Sequence, residues 1–167
     1  MTSVGQYILG IDPGLERTGY AVIDATARRV LDAGLVRTDR EIGLPRRLAE
    51  IHAGLAEVLD EHVIALMAVE DLYAHYKHPR TAILMGHARG AVLLLAAQRG
   101  IAVKSLPATL IKKTMTGSGH ASKQQIQRAM MATLGLARLP EPADVADAMA
   151  IGLSAAMAMR ESDAISR

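Results

Sequence analysis

Four acidic residues occupy positions where a carboxylate needs a chemical reason. Asp12 follows an apolar run and precedes Pro-Gly, and Glu70 follows seven consecutive apolar residues. Asp144 and Asp147 have a spacing that puts both on one face of a helix, with Cβ atoms ~5–6 Å apart. Converging carboxylates repel one another and take up protons unless a cation neutralises them. Because the chain has no cysteine and no histidine at ligand spacing, this all-oxygen set predicts Mg²⁺ or Mn²⁺ rather than zinc.

Two of these acids also have an ordinary explanation when each is taken alone. Asp12 before Pro-Gly can be a turn residue, and Asp144 can cap a helix or complement its dipole. Glu70 and Asp147 are harder to explain, because apolar residues surround them and an unpaired buried charge costs on the order of several kcal/mol. No single ordinary explanation covers all four acids.

The hydrophobic pattern predicts elements that bring the acids together. Three short apolar segments, 7–11, 18–23 and 30–37, have short connections and are expected to form antiparallel strands. A helical stripe over 44–59 then leads to a buried strand at 63–69, which the crossover helix makes parallel to the first strand. If these two strands are neighbours ~4.8 Å apart, the acids that end them share one edge of the sheet.

The remaining segments complete an α/β domain. A second helix over 79–98 leads to a strand at 101–106, and three helical stretches follow, the last over about 142–160. This order predicts a five-stranded mixed sheet in which the first three strands are antiparallel and the later ones parallel. We expect one domain over residues 1–160 and a frayed C-terminal tail over 161–167.

Composition limits the class of protein. The chain has 167 residues, is 50% hydrophobic and 22% charged, and lacks Phe, Trp and Cys, so we expect one aliphatic core without disulfides. Its N-terminus does not look like a signal peptide, and its apolar runs at 91–97 and 148–159 are shorter than the ~20 residues of a membrane span. A soluble, cytoplasmic protein is predicted. The +2 formal charge permits a nucleic-acid partner without specifying one.

Several motifs occur in a fixed order along nearly the whole chain, from about residue 7 to residue 158. They are Asp-Pro-Gly and Thr-Gly around the first turn, Ala-Val-Glu70, MGHARGA (85–91), KKTMTGSGHASK (112–123) and ADVADAMAIGL (143–153). This ordered set resembles the RuvC-type Holliday junction resolvases of the RNase H-like nuclease superfamily. The resemblance implies an RNase H-like fold with helices on both faces of the sheet. It also implies a homodimeric endonuclease that cuts two strands of like polarity in a four-way DNA junction, using two Mg²⁺ or Mn²⁺ ions per active site.

The resemblance assigns roles to single residues. The four family acids, which hold the metal ions, match Asp12, Glu70, Asp144 and Asp147 one for one. Asp71 is then a bystander, because neighbouring residues of a strand point to opposite faces.

Two family lysines match Lys112 and Lys123, and Lys123 is assigned to the catalytic set. From the residues alone, Ser122 and Gln125 predict a capping box that places Lys123 in the first turn of a helix, beside N–H groups that favour phosphate. Lys112 and Lys113 are expected to contact DNA, although without the resemblance a solvated helix face is the preferred explanation for both.

Tyr73 stands where the family usually has an aromatic residue, often Phe, that inserts at the junction centre. A tyrosine ring can also stack on a base; the alternative is that Tyr73 and Tyr76 are surface residues of a loop. Lys77 and Arg80 would add phosphate contacts beside it.

The resemblance also implies partners, namely a second copy of the chain and a branch-migration complex of the RuvA and RuvB type. Gly86 and Gly90 on the helix over 79–98 fit either internal packing or a two-fold interface. Three other classes of protein are alternatives. The first is an actin-like sugar kinase or ATPase, for which the chain is too short. The others are a ribosomal-RNA-processing nuclease of the same superfamily and a junction-binding protein that does not cut. The last would be expected to lack one of the acids.

Overall fold

The computed structural model describes residues 7–72 and 78–165, with side chains to residue 160. The five strands of this part of the chain are β1 (Tyr7–Asp12), β2 (Arg17–Asp24), β3 (Arg29–Arg37), β4 (Ile64–Glu70) and β5 (Ala102–Leu106). Its five helices are α1 (Leu44–Glu61), α2 (Pro79–Gln98), α3 (Ala108–Thr116), α4 (Lys123–Leu134) and α5 (Ala143–Ile165).

The strands form one mixed sheet in the order β3-β2-β1-β4-β5. Short turns join β1, β2 and β3, which pair antiparallel, whereas the crossover helix α1 returns the chain so that β4 pairs parallel to β1. The helix α2 does the same between β4 and β5. The predicted mixed sheet, with its antiparallel first half and parallel second half, is confirmed.

Helices cover both faces of the sheet, as expected for the RNase H-like fold. Alternate residues of β1 enter two different cores: Ile8 packs with α3, α4 and α5, whereas Leu9 and Ile11 pack with α1 and α2. A strand that is covered on both faces has to be apolar at nearly every position. This explains why the segments before Asp12 and Glu70 lack the alternation of a half-exposed strand.

Glycines let α5 lie directly on the sheet. A Cβ atom built on Gly10 would lie 2.2 Å from the carbonyl oxygen of Ala148 and 2.6 Å from the backbone nitrogen of Gly152. A Cβ on Gly19 would lie 2.2 Å from the carbonyl oxygen of Asp144. Only residues without a side chain permit this approach, and it fixes the start of α5 above the end of β1.

The helix α5 is longer than predicted, whereas α2 has the predicted bounds. The helix α5 continues to Ile165 instead of ending near residue 160, and the division into a domain and a tail stays a prediction. Within the described residues, α2 is the one helix that is long and apolar enough to cross a membrane by length and composition, a weak criterion on its own. Only 22% of its most apolar window is buried, so α2 presents an apolar face outside the two cores.

Candidate active site

Three of the four predicted acids meet at one point. Carboxylate oxygens of Asp12, Asp144 and Asp147 lie within 4.8 Å of one another. Glu70 lies beside this group: it lines one small cavity with Asp147 and a second with Asp12. The structure therefore brings all four acids to one region, with Glu70 at its side.

The fold explains this convergence. Ile11 and Val69 are partners in the parallel β1–β4 pair, so the residues that follow them, Asp12 and Glu70, emerge at the same edge of the sheet. The glycine contacts described above place the first turn of α5 over that edge. The helical spacing of Asp144 and Asp147 then turns both carboxylates toward Asp12.

Burial and mutual repulsion make three of the acids, Asp12, Glu70 and Asp147, hard to ionise. Burial raises the pKa of Asp12 to about 8, and the charges of Asp147, Glu70 and Asp144 add to this shift. The pKa values of Glu70 and Asp147 are also raised, in each case mainly by burial. An uncompensated group of oxygen ligands of this kind suits a hard divalent cation, which would neutralise it.

Lys123 places its charge beside both acids of α5. Its Nζ lies 3.9 Å from Oδ1 of Asp144 and 3.8 Å from Oδ2 of Asp147. The predicted capping box is confirmed, since the Ser122 side chain accepts a hydrogen bond from the backbone N–H of Gln125 and the Gln125 side chain accepts one from Ser122. This cap begins α4 at Lys123 and so fixes the backbone position from which the Lys123 side chain extends.

The other predicted contacts divide into three groups. Lys112 lines the small cavity that Glu70 and Asp147 share, and its charge opposes the rise in the pKa of both carboxyls. Lys113 and Arg80 are exposed, on α3 and in the first turn of α2, and the contacts of the described residues do not join them to the acids. Tyr73 and Lys77 lie outside the described residues.

Two arginines at the site were missed by the sequence reasoning. Arg17 on β2 places its Nε 3.3 Å from Oδ2 of Asp144, and Arg89 on α2 donates to the carbonyl oxygen of Glu70. The signal for Arg17 was available, because it lies two residues before Gly19 and so on the same face of the strand. No comparable signal identifies Arg89.

Comparison with known proteins gives consistent results. A family model described as crossover junction endodeoxyribonuclease RuvC matches residues 8–155. A protein of that name from Rhodopirellula baltica is 55% identical over 148 residues, which cover 87% of this chain and 83% of the relative. One from Moorella thermoacetica is 41% identical, covering 87% of this chain and 88% of the relative.

Solved structures give the same result. The structure described as T. thermophilus RuvC in complex with Holliday junction substrate has a TM-score of 0.86 and 32% identity, covering 94% of this chain and 96% of that one. The yeast mitochondrial Holliday junction resolvase, with a TM-score of 0.60 and 14% identity over 95% of this chain and 81% of that one, shows the shared fold alone. From the matched residues and the level of identity to these relatives, the chain belongs to the crossover junction endodeoxyribonuclease RuvC family.

Proposed function

We propose that this protein is a metal-dependent endonuclease that resolves four-way DNA junctions during homologous recombination and repair. It makes paired, symmetric cuts in two strands of like polarity and leaves 5′-phosphate ends. The observation that carries the proposal is the group of carboxylates of Asp12, Asp144 and Asp147 within 4.8 Å, in a member of this family. The Thermus thermophilus relative, described with a Holliday junction substrate, supports the same class of DNA for this chain.

The four acids would hold two Mg²⁺ or Mn²⁺ ions per site. Their donor atoms are all oxygen, and the raised pKa of Asp12, about 8, marks a charge that a divalent ion would balance. When bound, such ions supply an activated water and charge stabilisation at the leaving 3′ oxygen of a phosphodiester. No protein nucleophile is needed for this hydrolysis.

The residues of the chain hold and orient the reacting groups. Asp12 is held by β1 and the pair on α5 by the glycine contacts of the sheet, so the carboxylates are fixed before substrate arrives. Lys123 has its charge beside Asp144 and Asp147, where it opposes the rise in the pKa of the Asp147 carboxyl and would meet an approaching phosphate. Lys112 plays the same part beside Glu70.

The wider DNA contacts follow from charge and position. Lys113 and Arg80 are exposed, and we assign them contacts with phosphates of the DNA. Tyr73 would stack on a base at the junction centre, and Lys77 would add a phosphate contact next to it. These assignments rest on the family resemblance.

The partner that we propose for α2 is a second copy of this chain. An apolar groove of about 610 Å³ lies between α1 and α2. Ile83 and Leu94 on its lining are 60% and 55% exposed, and a Cβ on Gly90 would meet nothing within 4 Å. Gly90 is therefore not explained by packing within this chain. Two symmetric cuts require two sites, and a two-fold contact along α2 would supply them.

Further proposals extend from the family. We assign the protein to the cytoplasm, with a branch-migration complex of the RuvA and RuvB type as its partner at the junction. Residues 1–160 would form the nuclease domain, so removing 161–167 should leave junction cleavage unchanged.

Cleavage of a synthetic four-way junction tests the central proposal. The protein should cut the junction symmetrically with Mg²⁺ or Mn²⁺. It should not cut the junction in EDTA, and it should not cut a matched linear duplex. Asp147→Asn should bind the junction as well as the wild type, since the change removes repulsion and no phosphate contact, but should not cut it. Cleavage of structured RNA in place of the junction would favour the ribosomal-RNA nuclease, and binding without any cut would favour the non-cleaving protein.

A further inference from the structure

Arg89 joins three segments of the chain next to the acids. Its Nε donates to the carbonyl oxygen of Glu70 at 3.3 Å, and its Nη2 donates to the Ser105 hydroxyl at 2.6 Å. The same Nη2 lies 3.6 Å from Oδ1 of Asp71. The side chain is only 17% exposed. A single guanidinium from α2 thus binds the end of β4, the residue after it and the edge strand β5.

These contacts fix the point where β4 ends. Beyond Val69 the strand has no further partner on β1, so the Glu70 backbone depends on its other side. There it pairs with Leu106, whose carbonyl oxygen accepts from the N–H of Asp71 at 2.9 Å. Arg89 adds the bond to the Glu70 carbonyl oxygen and ties β5 to the same place. The backbone on both sides of the Glu70 side chain is thereby held.

The position of Glu70 in the site makes this restraint consequential. Glu70 stands beside the group formed by Asp12, Asp144 and Asp147, and it is not one of the three residues whose oxygens lie within 4.8 Å. A small cavity of about 20 Å³ is lined by Asp12, Glu70 and Arg89 together. A shift at the end of β4 would therefore move the Glu70 carboxylate relative to the other three acids.

Asp71 has a role in the same arrangement. Sequence reasoning made it a bystander to the metal site, and its described ion pair is with Arg89. It therefore helps to hold the guanidinium in place. A lysine could not replace Arg89, because one ammonium nitrogen cannot reach a carbonyl, a hydroxyl and a carboxylate along the planar fork that arginine provides.

We propose that Arg89 is a positioning residue for the reaction: it sets the place of the Glu70 carboxylate beside the other three acids without touching metal or DNA. The proposal rests on the proposed function, since it concerns the same site. Groups that hold metal ligands in place typically change metal affinity or activity by about 10–100-fold when mutated. An effect of that size is expected here.

The test compares Arg89→Gln and Arg89→Lys with Arg99→Gln. Arg99 is a matched control because it caps the same helix and pairs with Asp60 at 2.6 Å, a surface contact with no link to the acids. Four quantities are measured for each purified protein: Mn²⁺ affinity by calorimetry, kcat and KM for a four-way junction, and the thermal midpoint.

Both Arg89 variants should bind Mn²⁺ about 10-fold or more weakly and lose kcat at saturating metal, with KM for the junction unchanged. Arg89→Lys should not rescue either quantity. Arg99→Gln should match the wild type in Mn²⁺ affinity and in kcat. Ser105→Ala, which removes one acceptor and keeps the guanidinium, should produce a smaller loss in the same direction.

Several results would overturn the proposal. These are wild-type Mn²⁺ affinity in Arg89→Gln, full rescue by lysine, or a rise in KM at unchanged kcat, which would make Arg89 a DNA contact. If Mn²⁺ affinity and kcat fall only in proportion to the thermal midpoint, and do so equally in the Arg89 and Arg99 variants, Arg89 is a purely structural residue. If the wild type cuts no junction, the proposed function fails, while the Mn²⁺ affinities still decide the role of Arg89.

Discussion

At the scale of single residues, the protonation of Asp12 sets how the site responds to pH. With a pKa raised by burial to about 8, Asp12 keeps its proton near neutral pH in the metal-free protein. A divalent ion needs the ionised carboxylate, so metal binding has to release this proton. Apparent metal affinity should therefore increase with pH until about pH 8.

The same shift predicts how the stability of the metal-free protein depends on pH. Between the ordinary carboxyl pKa of 3.8 and about 8, the folded protein binds a proton at Asp12 that the unfolded chain has lost. The stability that this group contributes is therefore fully present below 3.8 and is lost as the pH rises through about 8. The raised pKa values of Glu70 and Asp147 act in the same direction.

Thermal unfolding in EDTA at pH 6 and pH 8.5 measures this effect. Wild type should lose stability relative to Asp12→Asn over this interval, because asparagine does not titrate. Excess Mg²⁺ should remove most of the loss at pH 8.5 by stabilising the ionised site. If wild type and Asp12→Asn lose stability in parallel, the pKa of Asp12 is not raised.

We expect Arg17 to compete with metal for Asp144. Its guanidinium lies 3.3 Å from that carboxylate and is 47% exposed, so Arg17→Ala should make the site more negative and tighten Mn²⁺ binding. Because solvent and salt screen an exposed pair, we expect only a ~3-fold effect at low salt that disappears at high salt. Arg37→Ala is the control, since Arg37 is the exposed partner of Arg17 in the β2–β3 pair. This change removes the same charge one strand further from the acids. Equal effects of the two variants would mean that the contact itself contributes nothing.

The sequence predicted the acids better than the arginines, for a physical reason. Glu70 and Asp147 stand among apolar residues, where an unpaired carboxylate is costly, so their types alone mark them. Arg17 and Arg89 belong to a type that is common on surfaces, and their roles depend on which strand ends and helices fold beside them. A pattern read along one chain contains no such information about tertiary neighbours.

At the scale of elements, the contact of α5 with β1 and β2 positions two of the four acids. The extended and helical segments were predictable because each has its own hydrophobic period. The height of α5 above the sheet was not, because it depends on glycines far apart in sequence, such as Gly10 and Gly152, meeting backbone to backbone. The spacing of Asp144 and Asp147 predicts that they share one face of α5. The contact of α5 with the sheet decides that this face lies against Asp12.

Gly19→Ala tests the importance of this contact. A Cβ there would lie 2.2 Å from the carbonyl oxygen of Asp144, so the first turn of α5 has to move away from Asp12. Since a misplacement of ~1 Å can cost about 100-fold in rate, we expect junction cleavage to fall by about that factor and Mn²⁺ affinity to fall with it. Overpacking should also lower stability by ~1–3 kcal/mol.

The matched control for that change is Gly43→Ala. Its Cβ would meet only a side-chain atom of Pro45 at 3.8 Å, an ordinary contact. Gly43→Ala should therefore cut junctions at the wild-type rate. Wild-type cleavage by Gly19→Ala would show that α5 can move without disturbing the acids.

At the scale of the whole molecule, the apolar face of α2 is the surface that we propose meets a partner. An exposed groove of about 610 Å³ runs along it, and its lining includes His52 and His87 among aliphatic and small residues. Helix composition alone also fits a membrane span, but α2 is tied to the sheet through Arg89 and to α1 through the second core. The second copy of the chain that we propose would cover this face and would also supply the second active site that paired cutting needs.

Gly90→Leu separates the dimer from the chemistry. A Cβ at Gly90 meets nothing within 4 Å in one chain, and leucine favours helix more than glycine by about 0.8–1 kcal/mol, so the folded protomer should be unharmed. If α2 meets its two-fold copy at Gly90, the added side chain blocks close approach, and sedimentation should show a monomer. Mn²⁺ affinity should stay at the wild-type value, because the acids lie elsewhere.

On a plasmid that extrudes a four-way junction, the wild type should give linear product by two cuts in one binding event, whereas the variant should give mainly nicked circles. Ala132→Leu, an exposed position on α4, controls for the added apolar side chain and should behave as wild type. A Gly90→Leu protein that sediments as a dimer and still linearises the plasmid would mean that α2 is not the contact between the two copies.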